Sequence, residues 1–399
     1  MLCWCIVIKL RVQHPVFVFF AAALLAACSG SVQFPAAPTW TPPPPDPPEL
    51  PSPFEELLTW DIELEFDAGE FETMLADPSN EGMLYHRATF KVGEDTLLVG
   101  ARLQGSSNIR AIRNLGLERY SFRIEFDSVV PEQEWRGLDG LTLHNGFGDP
   151  SLIRRQSARV VFESQGIASP RSVFARLSVN GKSPSLYSMV ELVDGEFLDD
   201  RFGEREGILI EAEPGDLFYL GDEASDYPTY TIQRGDPTMA GERLVEFIDT
   251  LNNTPIEELE NAIDGLFDVD SYLVWLATNT LLANMDAYGG SAEDYYLYLG
   301  IDDRFVYIPR DTDDAFANYP CPQQSASELI TQDLYAPICA GPRPLITRLL
   351  EVDTYRQMYD TELESLLDQL AEDNPHVQDV YRQAMKYELE FFDASIHSE

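Results

Sequence analysis

Positive charge is what this sequence has least of. Its 399 residues hold 27 lysines and arginines against 68 aspartates and glutamates, a formal charge of −41. With a pI near 4.2, the chain repels polyanions, which argues against non-specific nucleic-acid binding. Only four of the basic residues are lysines: Lys9, Lys91, Lys182 and Lys386. The apolar run Val16 to Ala27 is too short to span a bilayer as a mature helix, and no internal repeat is present, which argues against a solenoid or propeller. What is there is apolar material, 44% hydrophobic and 11% aromatic residues. That is far too much for a disordered acidic protein. The length suits two domains or one bilobal domain.

The N-terminus reads as an address. Lys9 and Arg11 precede the apolar run, which ends in Leu25-Ala26-Ala27-Cys28. This pattern resembles a bacterial lipobox, so residues 1–27 are expected to be a lipoprotein signal peptide and Cys28 the lipid-modified residue. Ser29 follows, with no Asp there, which favours the outer membrane. The alternative, an uncleaved N-terminal anchor, also exports the chain. Residues 28–53 are proline-rich, a semi-rigid tether holding a folded domain off a membrane by roughly 3 Å per residue. Cys3 and Cys5 belong to the signal, leaving Cys321 and Cys339 in the folded part. An oxidising compartment favours a disulfide between them, with two free buried thiols as the alternative.

The folded part, residues 54–399, reads as α+β. Strand alternation begins at Trp60–Phe66 and is followed by a short helix to about Leu75. Strands are expected at Arg87–Val92, Thr96–Gln104, Ser121–Phe126, Phe174–Val179 and Leu186–Leu192. A helix is expected from Pro150 to about Gln165, capped by Asp149 and stopped by Gly166. From about Thr238 the pattern is mostly helical, interrupted by a hairpin of Tyr295–Leu299 with Phe305–Pro309.

Charge is uneven. Residues 101–182 carry twelve basic and eight acidic residues. This positive island either pairs with the acidic half or receives an anion, for which arginine's planar fork is suited. In the second half, Asn284-Met285-Asp286 closes an apolar helix pattern and Asp311-Thr312-Asp313-Asp314 closes a strand. Asp311 and Asp313 can present oxygens to one hard cation, Mg²⁺, Mn²⁺ or Ca²⁺, or serve as cap and turn residues.

Four fragments stand in order along the chain: Arg102-Leu103-Gln104-Gly105-Ser106-Ser107; Arg119-Tyr120-Ser121-Phe122-Arg123-Ile124-Glu125-Phe126; Tyr187 through Glu191-Leu192-Val193-Asp194 to Phe197-Leu198; and Asn284-Met285-Asp286 through Tyr295-Tyr296-Leu297-Tyr298 to Pro309-Arg310-Asp311-Thr312-Asp313. Together they resemble the spore coat protein H family, the CotH kinase-like proteins. The resemblance implies an atypical protein-kinase-like bilobal fold, with a β-rich lobe of about 54–194 and a helical lobe of about 195–399. It further implies ATP and Mg²⁺ or Mn²⁺ as cofactors and a Ser-bearing surface protein as phosphoacceptor. By motif, Asp286 would be the catalytic base, and Asp311 with Asp313 would hold metal. Arg102, Ser106, Ser107 and Arg119 would contact phosphates, and Glu191, at the interlobe strand, would belong to the nucleotide site. The sequence departs from the family pattern at Arg119, where Lys is usual, at Arg310, where Trp is usual, and at Asp294, which stands at the metal-side Asn. Two readings follow: an exported CotH-type kinase, or a catalytically silent surface module binding a metal, a protein or a polymer.

Overall fold

Period-two alternation builds the N-terminal half. In β1 (Trp60–Phe66) Ile62 and Leu64 are buried while Asp61, Glu63 and Glu65 face water, as a strand with one dry face requires. After the short helix α1 (Glu70–Ala76), β2 (His86–Val92) and β3 (Asp95–Gln104) form a hairpin. Then come α2 (Ser106–Leu115), β4 (Ser121–Glu125), β5 (Gly140–His144), α3 (Ile153–Ser164), β6 (Ser172–Val179) and β7 (Ser185–Glu191). In this computed structural model, which describes residues 51–54, 59–77, 84–149, 151–319, 321, 325–329, 331–339 and 341–369, the seven strands close into a barrel. Their order is β1-β2-β3-β4-β5-β7-β6, with β1 antiparallel to β2 and parallel to β6. The expected signal peptide, Cys28 and most of the tether lie outside the described residues.

Closure removes exposed strand edges. Phe90, Val99, Phe122, Ile124, Leu141 and Met189 fill the interior, none more than 1% exposed. Each such side chain contributes about 1.5–3 kcal/mol by leaving water. Because strand faces alternate, the cross-strand row Arg102, Arg123, Thr142 points out of the barrel.

The C-terminal half contains α4 (Gly195–Phe202), β8 (Ile208–Ala212), β9 (Tyr230–Arg234), α5 (Pro237–Asn253), α6 (Ile256–Ile263), α7 (Val269–Leu281), β10 (Tyr295–Leu299), β11 (Phe305–Pro309), α8 (Ala326–Leu329), α9 (Pro344–Glu351) and α10 (Asp353–Gln369). Four of these strands form an antiparallel sheet in the order β11-β10-β8-β9. This half is therefore mixed rather than helical, a correction to the sequence reading. The reason is local: the apolar triplet Ile208-Leu209-Ile210 pairs with β10, Ile210 opposite Leu297, and buries there with all three residues no more than 6% exposed. Asp236 and Asp268 cap α5 and α7. The sheet and helices share one core that includes Phe247, Phe267, Trp275, Phe305 and Tyr307.

Helix α3 joins the halves. Asp149 accepts from the Arg154 backbone N–H at 3.0 Å, and Gly166 ends the segment with φ +69°, the left-handed conformation glycine tolerates. Although α3 lies in sequence between barrel strands, its Ala158, Val161 and Phe162 belong to the C-terminal core. Cys321 and Cys339 are bonded, as expected. Among the described residues no helix is long and apolar enough to cross a membrane.

Candidate active site

The acidic residues converge because the elements bearing them end together. In the last turn of α7, the Asn279 side chain donates to the Asn284 carbonyl at 2.8 Å, and the Asn284 side chain donates to the Asp311 carbonyl at 3.4 Å. These bonds hold the Asn284–Asp286 turn against the end of β11. Gly290 closes the same turn; a Cβ there would lie 1.8 Å from the Met285 carbonyl oxygen, so only glycine fits. On the other side of the hairpin, the Arg310 N–H donates to the Asp294 carbonyl at 2.8 Å. The Arg310 guanidinium holds the Asp294 carboxylate through Nε at 2.9 Å and Nη2 at 2.6 Å, and it also binds Glu211 and Glu213.

The barrel side contributes two groups that sequence reasoning had not placed here. Arg155 of α3, its side chain 6% exposed, reaches Asp311 Oδ1 at 2.7 Å and Asp313 Oδ2 at 3.2 Å, with Asp311 Oδ2 at 2.8 Å. His144, at the end of β5, offers Nδ1 at 3.5 Å from the same guanidinium. His144, Asp311 and Asp313 present ligand atoms within 4.8 Å of one another. The only sequence signal for Arg155 was its membership of the positive island; for His144 there was none.

Five carboxyls, Asp286, Asp294, Asp311, Asp313 and Asp314, act on one another here. Burial, then the Asp294 charge, pushes Asp286 up to about 8. Burial, opposed by Arg310, takes Asp294 to about 6. For Asp311 burial acts upward, yet Arg155 and His144 outweigh it and hold the carboxyl well below its usual range. Asp313 is raised by burial and by the Asp311 charge, and Asp314 by burial. Burial and Arg155 lower His144 to about 3, so its ring is neutral at pH 7.

The phosphate-site candidates cluster at one end of the barrel strands. Gln104, ending β3, pairs with Ser121, beginning β4. Ser121 Oγ donates to Asn145 Oδ1 at 3.0 Å, and Asn145 Nδ2 donates to the Arg119 carbonyl at 2.6 Å. Gly105-Ser106-Ser107, Arg119 and His144 are thus at that same end. Ser106 and Ser107 open α2 behind Gly105, whose φ is +82°, and no side chain caps the helix. An uncapped helix N-terminus suits an anion. The Arg119 guanidinium donates to the Leu186 carbonyl and stacks 5.1 Å from the Tyr187 ring centroid. Arg102 lies over Tyr85, 5.5 Å from its centroid. The segment Asp311–Asp314 meets this end through His144 and through Asn318, which bonds both Asp314 and the Gly148 carbonyl.

Glu191 does not join the cluster. It is 3% exposed in its side chain and is ion-paired to Arg171 and Arg201. The positive island mostly pairs with acids: Arg123, Arg154, Arg155, Arg159, Arg171, Arg176 and Lys182 all do so. Arg102, Arg110 and Arg119 make no ion pair among the described residues.

Residues 101–388 match the family described as CotH kinase protein. The chain belongs to that family. It is also similar to the inner spore coat protein H of Bacillus subtilis (strain 168), 26% identical over 289 residues, which cover 71% of this chain and 75% of that protein. The CotH match contains every residue of the carboxylate cluster, together with Arg155 and His144, and begins one residue before Arg102.

Proposed function

We propose that this CotH family member is an exported, lipid-anchored atypical protein kinase that transfers the γ-phosphoryl group of ATP to a serine of a surface protein. The observation that carries the reading is the convergence of Asp286, Asp311 and Asp313 beside the barrel end that holds the α2 N-terminus and Arg119. Phosphoryl transfer asks for little more than charge around phosphates and a carboxylate to orient the nucleophile.

The Asp311 and Asp313 carboxylates suit a hard divalent ion, and the neutral His144 imidazole beside them is a softer donor that fits Mn²⁺ better than Mg²⁺. Asp311, Asp313 and His144 would hold it, with Asp294 across the hairpin. When bound, such an ion neutralises phosphate charge. The N–H groups opening α2, with Arg119 and Arg102, would orient the phosphates. Asp286 would accept the serine proton as the serine oxygen bonds to the γ-phosphorus and the bond to ADP breaks. Because burial and the Asp294 charge lift the Asp286 carboxyl to about 8, it is a stronger base than a free aspartate once ionised, and a divalent ion bound beside it would favour the ionised form. Leu25-Ala26-Ala27-Cys28 supports export and a lipid on Cys28, in keeping with a relative named as a spore coat protein.

A second reading, a silent binding module, is favoured by one observation: Arg155 and Arg310 already neutralise Asp311, Asp313 and Asp294. Incubation with γ-labelled ATP, Mn²⁺ and serine-rich acceptor peptides separates the two. The kinase reading expects label on serine, lost in Asp286→Asn. No transfer by a well-folded chain that still binds ATP would favour the silent module.

A further inference from the structure

The carboxylates needed by a divalent ion are already engaged, and the engaging group belongs to the chain. Arg155 places one guanidinium against both oxygens of Asp311, at 2.7 and 2.8 Å, and against Asp313 at 3.2 Å. The fork matches the carboxylate bidentately, the strongest geometry available to such a pair. With its side chain only 6% exposed, the charge has little water around it and depends on these partners.

His144 Nδ1 lies 3.5 Å from Arg155 Nη2, so the guanidinium is in contact with all three potential ligands. A Mg²⁺-sized ion bonds oxygen at about 2.1 Å. It would therefore stand on the same oxygens, beside a fixed positive charge in a poorly hydrated place, where like charges repel strongly. The two cations exclude one another. Arg310 does the same to Asp294 from the other side, so the site is neutralised from within the chain on both flanks.

We propose that Arg155 is an intramolecular cation latch on Asp311 and Asp313, and that a divalent metal loads only when Arg155 swings away. The proposal rests on the reading of these aspartates as metal ligands. It gives the site two states, one self-neutralised and one metal-loaded, and the closed state lowers apparent metal affinity by the fraction of molecules it holds.

Mn²⁺ alone, without nucleotide, is the probe, titrated into the full chain while the electron paramagnetic resonance of the free hydrated ion is followed. Arg155→Gln, which removes the charge, is expected to bind Mn²⁺ at least about tenfold more tightly than wild type, an increase set by the closed population it abolishes. Arg155→Lys, which keeps the charge but loses the fork, should give a smaller gain. Adding Asp311→Asn to Arg155→Gln should remove the gain. Equal or weaker binding by a folded Arg155→Gln overturns the latch, and so does absence of binding in both wild type and variant.

Should Arg155→Gln fail to fold, the wild type still decides. Saturating Mg²⁺ should shift the Arg155 Nε–H resonance and speed its exchange with water; a resonance that stays fixed while Mg²⁺ binds overturns the proposal. The outcomes are separable from those of the kinase reading. A chain that transfers no phosphate yet shows the Arg155 effect keeps the latch, and one that transfers phosphate with unchanged Mn²⁺ affinity in Arg155→Gln loses it.

Discussion

Asp286 carries the sharpest conflict at the residue scale, since as the proposed base it would have to be ionised to accept a proton while its surroundings favour the protonated form. Burial and Asp294 raise it to about 8, and Asp294 itself is raised to about 6. A carboxyl whose folded pKa is raised stabilises the fold fully below its unfolded pKa, near 4, and loses that contribution as pH rises through the folded value. Glu196, pushed by burial and Asp139 to about 8, adds to the same window. Unfolding stability should therefore fall from about pH 4 to pH 8, measured by denaturant titration at stepped pH. Asp286→Asn should flatten part of that slope and stabilise the chain at pH 8 by on the order of 1 kcal/mol, discounted for a half-buried site. A slope unchanged in Asp286→Asn would remove Asp286 from the account.

These aspartates were legible in the sequence because they stand at the ends of strongly apolar elements, where a carboxylate needs a partner. Arg155 was not, because nothing in its local pattern on α3 tells which side chain will meet it from residue 311. Glu191 fitted a motif but is taken up by Arg171 and Arg201, an ion-pair choice made only when β7 and α4 pack.

At the scale of elements, one buried side chain ties the barrel end together. Asn145 accepts from Ser121 Oγ at 3.0 Å and from the Phe147 N–H at 3.1 Å, and donates to the Arg119 carbonyl at 2.6 Å. Asn145→Ala strands those groups and should cost about 1–3 kcal/mol in chemical denaturation. It should also weaken ATP binding, because Arg119 and His144 lose their common anchor. A variant with lowered stability and unaltered ATP affinity would separate this junction from the site. Strands such as β1 were readable from alternation. β5 was not, since its five residues offer only Leu141 and Leu143 as an apolar alternation, too short a run to announce a strand. α2 was hidden because no side chain caps it and only Ile109 and Ile112 mark its buried face.

At the scale of the whole molecule, the two cores are linked through α3, and the loop bearing Asp286 is braced by the disulfide. Cys321 packs with Ala283, Met285, Ala317 and Leu329, and the Cys339 N–H donates to the Gly289 carbonyl at 3.1 Å. The crosslink spans 18 residues, a loop whose closure stabilises by about 3 kcal/mol on chain entropy. Reduction should lower the unfolding free energy by about that amount and reduce ATP affinity together with it. Reduction that leaves both unchanged would show the loop to be held by packing alone. The order of β-rich and later elements was legible in the sequence. The closed barrel was not, because its last seam joins β1 to β6, Trp60 opposite Ala175, a pairing no local pattern announces.

On the kinase reading, the cluster around Asp311 is a metal-dependent nucleotide site. Calorimetric titration of the chain with ATP, with and without Mg²⁺ or Mn²⁺, beside Asp311→Ala, tests it most directly. The expected result is ATP binding that requires the metal and disappears in Asp311→Ala. No binding at millimolar ATP with either metal, or binding that Asp311→Ala leaves intact, would contradict it.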